Sequence, residues 1–220
     1  MSHAAFAYLP LASQPDSVSA MKLQLQIIIV STRPGRVGPS IARWFHEFAT
    51  RHGKFEPVLV DLADFDLPLY DEPHHPRLQK YTKEHTKRWS ASVATGDAYV
   101  FVTPEYNFCP PPPFGNALQY LYHEWNYKPC GFVSYGGVSG GMRAVQLEKQ
   151  LATALKMMPM PEGVAVPMIS QHFDAQKNFV TNDLIDSAAR VLLDELHKWA
   201  QALKPMRAAH QEAVRVSAVG

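Results

Sequence analysis

Ten consecutive residues, 31–40, hold two serines, a threonine, two arginines and two glycines. Hydroxyls, guanidiniums and unhindered backbone amides at this density are donors without a matching acceptor, which is the chemistry of an anion site. The flanks agree with that reading. Residues 27–30 are IIIV, the continuous apolar run of a parallel strand buried on both faces. Beyond the loop, Ile41, Trp44, Phe45 and Phe48 recur at helical spacing. A helix starting here aims its unpaired amides and the positive end of its dipole back at Ser31, Thr32, Arg33, Gly35, Arg36, Gly38 and Ser40. The glycines and Pro34 suit a backbone that must approach a ligand closely. The plainer alternative is a strand-to-helix turn with solvated arginines.

Missing motifs narrow the choice of phosphate. The chain has neither a G-x-G-x-x-G dinucleotide fingerprint nor a G-x-x-x-x-G-K-[ST] triphosphate loop. A hydroxyl-rich loop without lysine fits a mononucleotide such as FMN. Residues 103–118 read TPEYNFCPPPPFGNAL. Their prolines restrict the loop, Tyr106 offers an aromatic face, and Asn107 supplies both donors and acceptors. A flat heteroaromatic ring needs such a slot, although a rigid structural crossover would read the same way. Residues 134–141, SYGGVSGG, carry four glycines that can present bare amides to a ligand edge. Alone they are a flexible junction.

The elements between must bring these loops together. Strands are expected at 55–62, 98–103, 130–135 and 164–166, after the first one. Helices are expected at roughly 77–94, ending at Gly96, and through Phe114, Leu118, Leu121 and Trp125. Two more follow, through Ala144, Leu147, Leu151 and Leu155, and through Leu184, Ala188, Val191, Glu195 and Trp199. Strands alternating with helices demand right-handed crossovers and a parallel sheet. The expectation is an α/β, flavodoxin-like three-layer sandwich, with a five-stranded parallel sheet of order 2-1-3-4-5 and helices on both faces. Loops after strands one, three and four then converge at the switch point.

Composition bounds the rest. With 220 residues, 46% hydrophobic and 19% charged, the chain suits one globular domain. The expected division is a loose extension over 1–21, an FMN-binding domain over 22–204 and a frayed tail over 205–220. A net charge of +1 provides no footprint for nucleic acid, and no apolar stretch reaches bilayer length. Two cysteines, Cys109 and Cys130, are too few for a disulfide framework and point to the cytoplasm. His74 and His75 are neighbours in a proline-flanked loop, a poor geometry for a metal site.

Four segments together resemble the NADPH-dependent FMN reductase family of the flavodoxin-like superfamily. They are STRPGR at 31–36, DLPLYDEP at 66–73, TPEYN at 103–107 with NAL at 116–118, and SYGG at 134–137 with Gly140 and Gly141. The resemblance spans about residues 23–203. It implies a homodimer or homotetramer with non-covalent FMN, reduced by NADPH or NADH. Electrons then pass in ping-pong fashion to a small-molecule acceptor: quinones, azo compounds, metal oxyanions or free flavin. By similarity, Ser31, Arg33, Arg36, Val37, Gly38, Pro39 and Ser40 hold the phosphate. Pro104, Glu105, Tyr106 and Asn107 line the ring and ribityl chain, and Ser134, Tyr135, Gly136 and Gly137 approach the pyrimidine edge. Amides of Gly136 and Gly137 would stabilise charge on the reduced ring, so no side-chain acid, base or metal is required. Arg143 is a candidate for the NADPH 2′-phosphate. Tyr122, Trp125 and Tyr127 are expected interface anchors. The chain departs from the family at Pro112 and Gly115, where glycine and lysine are usual, and at Gln119. An electron carrier for protein partners and a flavin-free scaffold are the competing readings.

Overall fold

The computed structural model describes residues 22–217, so the extension expected at 1–21 lies outside the described residues. β1 (Leu23–Ile29) has a parallel partner on each side, β2 (Phe55–Asp61) and β3 (Ala98–Pro104). Its second half, Ile27–Ile29, is apolar without alternation because both faces are covered: Ile27 and Ile29 pack into one core and Ile28 into the other. β4 (Pro129–Tyr135) extends the sheet beyond β3. The expected fifth strand is present as β6 (Val164–Val166), and a short unexpected strand, β5 (Met158–Pro159), precedes it; both are parallel to β4. Pro159 and Pro161 cannot donate to the ladder, while the Met160 amide still reaches the Cys130 carbonyl at 2.8 Å. The strand order is 2-1-3-4-5 with β6 also on β4, the flavodoxin-like α/β arrangement.

α1 (Gly38–His52) and α5 (Asp183–Ser217) cover one face, burying Ile41, Phe45, Leu192 and Leu196. α2 (Glu84–Thr95), α3 (Pro112–Gln119) and α4 (Met142–Ala154) cover the other. There Trp89, Tyr99, Phe101, Phe114 and Trp125 meet edge to face. Each such side chain contributes roughly 1.5–3 kcal/mol by burial.

Several boundaries differ from expectation for local reasons. α2 starts at Glu84 rather than near residue 77: Pro76–Leu78 form a separate 3₁₀ turn ended by Gln79 at φ +50°, and buried Glu72 accepts the amides of Thr82 and Lys83 just before the helix. α3 stops at Gln119, and Trp125 belongs to a separate 3₁₀ turn. α4 and α5 occupy the expected segments with a different face inward. Leu147, Leu151, Leu184 and Val191 are exposed, whereas Glu148 and Ile185 are buried. α5 also continues past Pro205, where a frayed tail is expected. Pro205 costs one helical hydrogen bond, but Arg207 pairs with Asp97 at 2.5 Å and His210 packs on His123 and Tyr127.

Candidate functional site

The loops after β1, β3 and β4 converge at the carboxyl end of the sheet. In the first, Pro34 and Gly35 occupy the centre of a turn closed by the Arg36 amide on the Arg33 carbonyl at 3.2 Å. Gly35 has φ +72°, as the third residue of a type II turn requires. The two arginines then separate in role. Arg36 is clamped to Asp61 at the end of β2, at 2.6 and 2.8 Å, and donates to the Ser31 carbonyl at 2.5 Å. It therefore shapes the loop from within. The Arg33 side chain is exposed and makes no hydrogen bond or ion pair among the described residues. The start of α1 presses against β4: a Cβ on Gly38 would lie 2.9 Å from the Tyr135 hydroxyl. Val37 is the N-cap residue, Pro39 sits in the first turn, and partly exposed Ser40 accepts from Arg43 at 3.0 Å.

Three hydroxyls gather above the strands. Ser31 and Tyr106 share a hydrogen bond of 2.8 Å. Tyr135 is buried, which pushes its phenol up, partly offset by the nearby charges of Arg33 and Arg36. The second loop folds as a tight hairpin. Amides and carbonyls of Tyr106 and Cys109 exchange bonds of 3.0 and 2.9 Å, with Asn107 and Phe108 both at positive φ. Asn107 is exposed there, while Pro104 is buried at the end of β3 beside Tyr135.

Other expected ligands turn inward. Glu105 reaches the N-terminus of α4, accepting from Ser139 at 3.0 Å and from the Arg143 amide at 3.1 Å. Burial pulls its carboxyl up, but the Arg143 guanidinium, Ser139 and the Ala144 amide outweigh this and hold it below the usual range. Arg143 itself is ion-paired to Glu105 at 2.5 Å and lies 3.6 Å from the Phe108 ring centroid, so it is not a free cation for a 2′-phosphate. The Ser134 hydroxyl donates to the Gly140 carbonyl at 2.8 Å, bracing the glycine loop from below. The Gly136 amide is spent on the Val166 carbonyl at 3.2 Å, which removes one of the two amides expected at the ring edge. Gly137 remains: its amide has no acceptor among the described residues, and a Cβ there would meet nothing within 4 Å.

The sequence motifs also proved to be joined. Asn116 donates to the Pro68 carbonyl at 2.6 Å and accepts the Tyr70 amide at 3.0 Å, and Tyr120 donates to the Pro68 carbonyl at 3.1 Å. This clamp fixes the loop after β2 against α3. Between them, beside Thr32, opens a cavity of about 440 Å³ lined by Leu62, Asp66, Leu67, Leu69, Pro112 and Asn116. Residue-by-residue reading missed it, because it forms only when two loops some 50 residues apart meet. His74 and His75 border a separate hollow, where the His75 ring accepts the Arg77 amide at 3.2 Å. Trp125, an expected interface anchor, is fully buried and donates to the Leu118 carbonyl. Tyr122 lies under Arg77 and Tyr127 against His210, both contacts within the chain.

Comparison with known proteins is consistent with these features. Residues 23–171 match the family described as NADPH-dependent FMN reductase. An NAD(P)H-dependent FMN reductase of Schizosaccharomyces pombe is 44% identical over 149 residues, covering 67% of this chain and 74% of the relative. A quinone reductase of Pseudomonas putida is 28% identical, covering 80% and 93%. Among solved structures, the flavoenzyme NAD(P)H:(acceptor) oxidoreductase of Paracoccus denitrificans superposes with a TM-score of 0.66 at 20% identity, covering 82% and 98%, a likeness of fold.

Proposed function

Because the chain belongs to the NADPH-dependent FMN reductase family, and is thereby an FMN-using NAD(P)H oxidoreductase, we propose that it carries electrons in ping-pong fashion to small acceptors, quinones first. The observation that carries the site assignment is the unequal state of the loops' polar groups. The Arg36 guanidinium, the Glu105 carboxylate, the Ser134 hydroxyl and the Gly136 amide are consumed by the protein, while the Arg33 guanidinium and the Gly137 amide have no partner among the described residues. In a fold held this closely, unspent donors above the strand ends fit a phosphate and the polar edge of a flavin. The loop at 32–35 and the first turn of α1 hold the phosphate, with Arg33 as its cation. Tyr106 and Asn107 position the ring and ribityl chain, and Gly137 approaches the pyrimidine edge.

Bound FMN supplies two-electron transfer between a nicotinamide and an acceptor. The chain's own part is to bind, orient and shield. The Arg36–Asp61 clamp keeps the phosphate loop in shape, Ser31 fixes the Tyr106 ring, and Glu105 fixes the glycine loop. No helix among the described residues is long and apolar enough to cross a membrane. The reading places the protein in the reducing cytoplasm, where free Cys109 and Cys130 are at home. We also propose a homodimer or homotetramer, supported by exposed Leu69 and Tyr70 beside the cavity after β2. Sedimentation of a strict monomer at micromolar concentration would rule it out. The functional test is anaerobic mixing of the FMN-loaded protein with NADPH, then with a quinone. Flavin bleaching followed by recovery, unchanged by chelator or by His74→Ala and His75→Ala, is expected. A metal requirement would contradict the reading.

A further inference from the structure

Glu148 is buried in mid-helix on α4, with none of its surface exposed. Its helical neighbours on that face are Ala144, Val145 and Ala152, so an apolar residue would satisfy the periodicity. Its Oε1 accepts from the Thr103 hydroxyl at 2.6 Å, and its Oε2 has no partner among the described residues. It takes part in no ion pair among the described residues. Thr103 is the last residue but one of β3, just before the loop that starts at Glu105, and it pairs in register with Ser134, which braces the glycine loop. One turn earlier on α4, the Arg143 and Ala144 amides hold Glu105 of that same loop. α4 is therefore fastened to the β3 loop at two points, Glu105 and Thr103.

We propose that Glu148 is a positioning residue that, in its uncharged form, anchors Thr103 and so sets the loop that cradles the flavin, making flavin affinity fall when it ionises. The groups that face it offer no compensation for a charge. β3 presents Thr103 and β4 presents the Cys130 thiol, which sits close enough to feel the carboxyl. Lys149 on α4 turns away to the Pro161 carbonyl, and Arg143 is already neutralised by Glu105. Burial pushes the Glu148 carboxyl up to about 8, against a smaller opposing pull from Thr103. An ionised Glu148 still accepts from Thr103, but its other oxygen then carries buried charge, and relieving it by drawing in water or rotating toward solvent shifts α4 and Thr103 relative to the loop.

The inference rests on the flavin reading above, and one titration separates the two. FMN affinity is measured by quenching of flavin fluorescence from about pH 6 to about pH 9.5. The wild type should be flat below about pH 7 and lose up to about tenfold per pH unit above the Glu148 midpoint. Glu148→Gln, uncharged and of the same shape, should match the wild type at neutral pH and stay flat throughout. Thr103→Val should weaken binding at all pH values. A wild type without the alkaline loss, or a Glu148→Gln variant that keeps it, overturns the proposal while leaving the flavin reading intact. Failure to bind FMN at any pH overturns both. Should Glu148→Gln not fold, infrared spectroscopy of the wild type decides: a protonated-carboxyl band that persists at neutral pH and disappears above the midpoint is expected, and its absence refutes the proposal.

Discussion

At the amino end of the sheet, buried cations are held by protein groups. Lys128 donates to the Val93 and Ala94 carbonyls and the Tyr99 hydroxyl, at 3.0, 3.2 and 2.8 Å. Arg207 lies on Asp97, whose other oxygen accepts the Gln24 amide at 2.9 Å. At the carboxyl end, the Arg33 guanidinium and the Gly137 amide have no such partner among the described residues, and Asn107 and Phe108 adopt left-handed backbone in solvent. The same sheet thus has one end whose basic side chains are engaged by protein groups and one whose donors are left for a ligand. An unspent donor or strained backbone persists only where something else benefits from it.

Removing the cation at the amino end should have the largest effect on folding. Arg207→Ala leaves the Asp97 carboxylate partly buried beside Lys128, and should cost about 3 kcal/mol in denaturant unfolding. FMN affinity should not change. A variant as stable as the wild type would show that the continuation of α5 is ornamental.

The arginines of the first loop sharpen the contrast within a few residues. Arg33→Ala should weaken FMN binding by roughly 1.5–3 kcal/mol, the range for hydrogen bonds to charged groups, and leave apo-protein stability alone. Arg36→Ala should instead lower apo stability by about 1–2 kcal/mol, since Asp61 loses its bidentate partner. Calorimetry of both variants, with and without FMN, checks the division. Equal effects on binding and no effect on folding would erase it.

How far the sequence foretold this depends on distance along the chain. The strand, the loop and the start of α1 are contiguous, so apolar run, turn residues and helical spacing could be read directly. The partner of Arg36 lies 25 residues away and that of Glu105 38, and no local pattern announces either. The faces of α4 and α5 were misjudged because hydrophobicity stood in for burial. Leu147 and Val191 are exposed, while Glu148 is buried. Trp125 looked like an anchor beside Tyr122 and Tyr127, but the early end of α3 turns it into the core.

A smaller effect should separate the two ends by pH. The His123 Nε2 donates to the Arg77 carbonyl at 2.9 Å, so its Nδ1 accepts from His210 Nε2 at 3.1 Å in the neutral pair. Burial lowers the His210 pKa, and the charges of His123 and Lys156 lower it further. The folded protein therefore binds fewer protons than the unfolded chain between that lowered value and 6.5. Stability from this contact is complete above 6.5 and is lost as pH falls through the window. The loss should stay below about 1 kcal/mol, because both rings are partly solvated. Protection factors of amides in residues 205–217, corrected for the intrinsic pH dependence of exchange, should be lower at about pH 5.5 than at about pH 7.5, while those of residues 31–40 hold. An equal fall at both ends would mean global loosening, and none at residues 205–217 would mean the histidine pair does not hold the helix down.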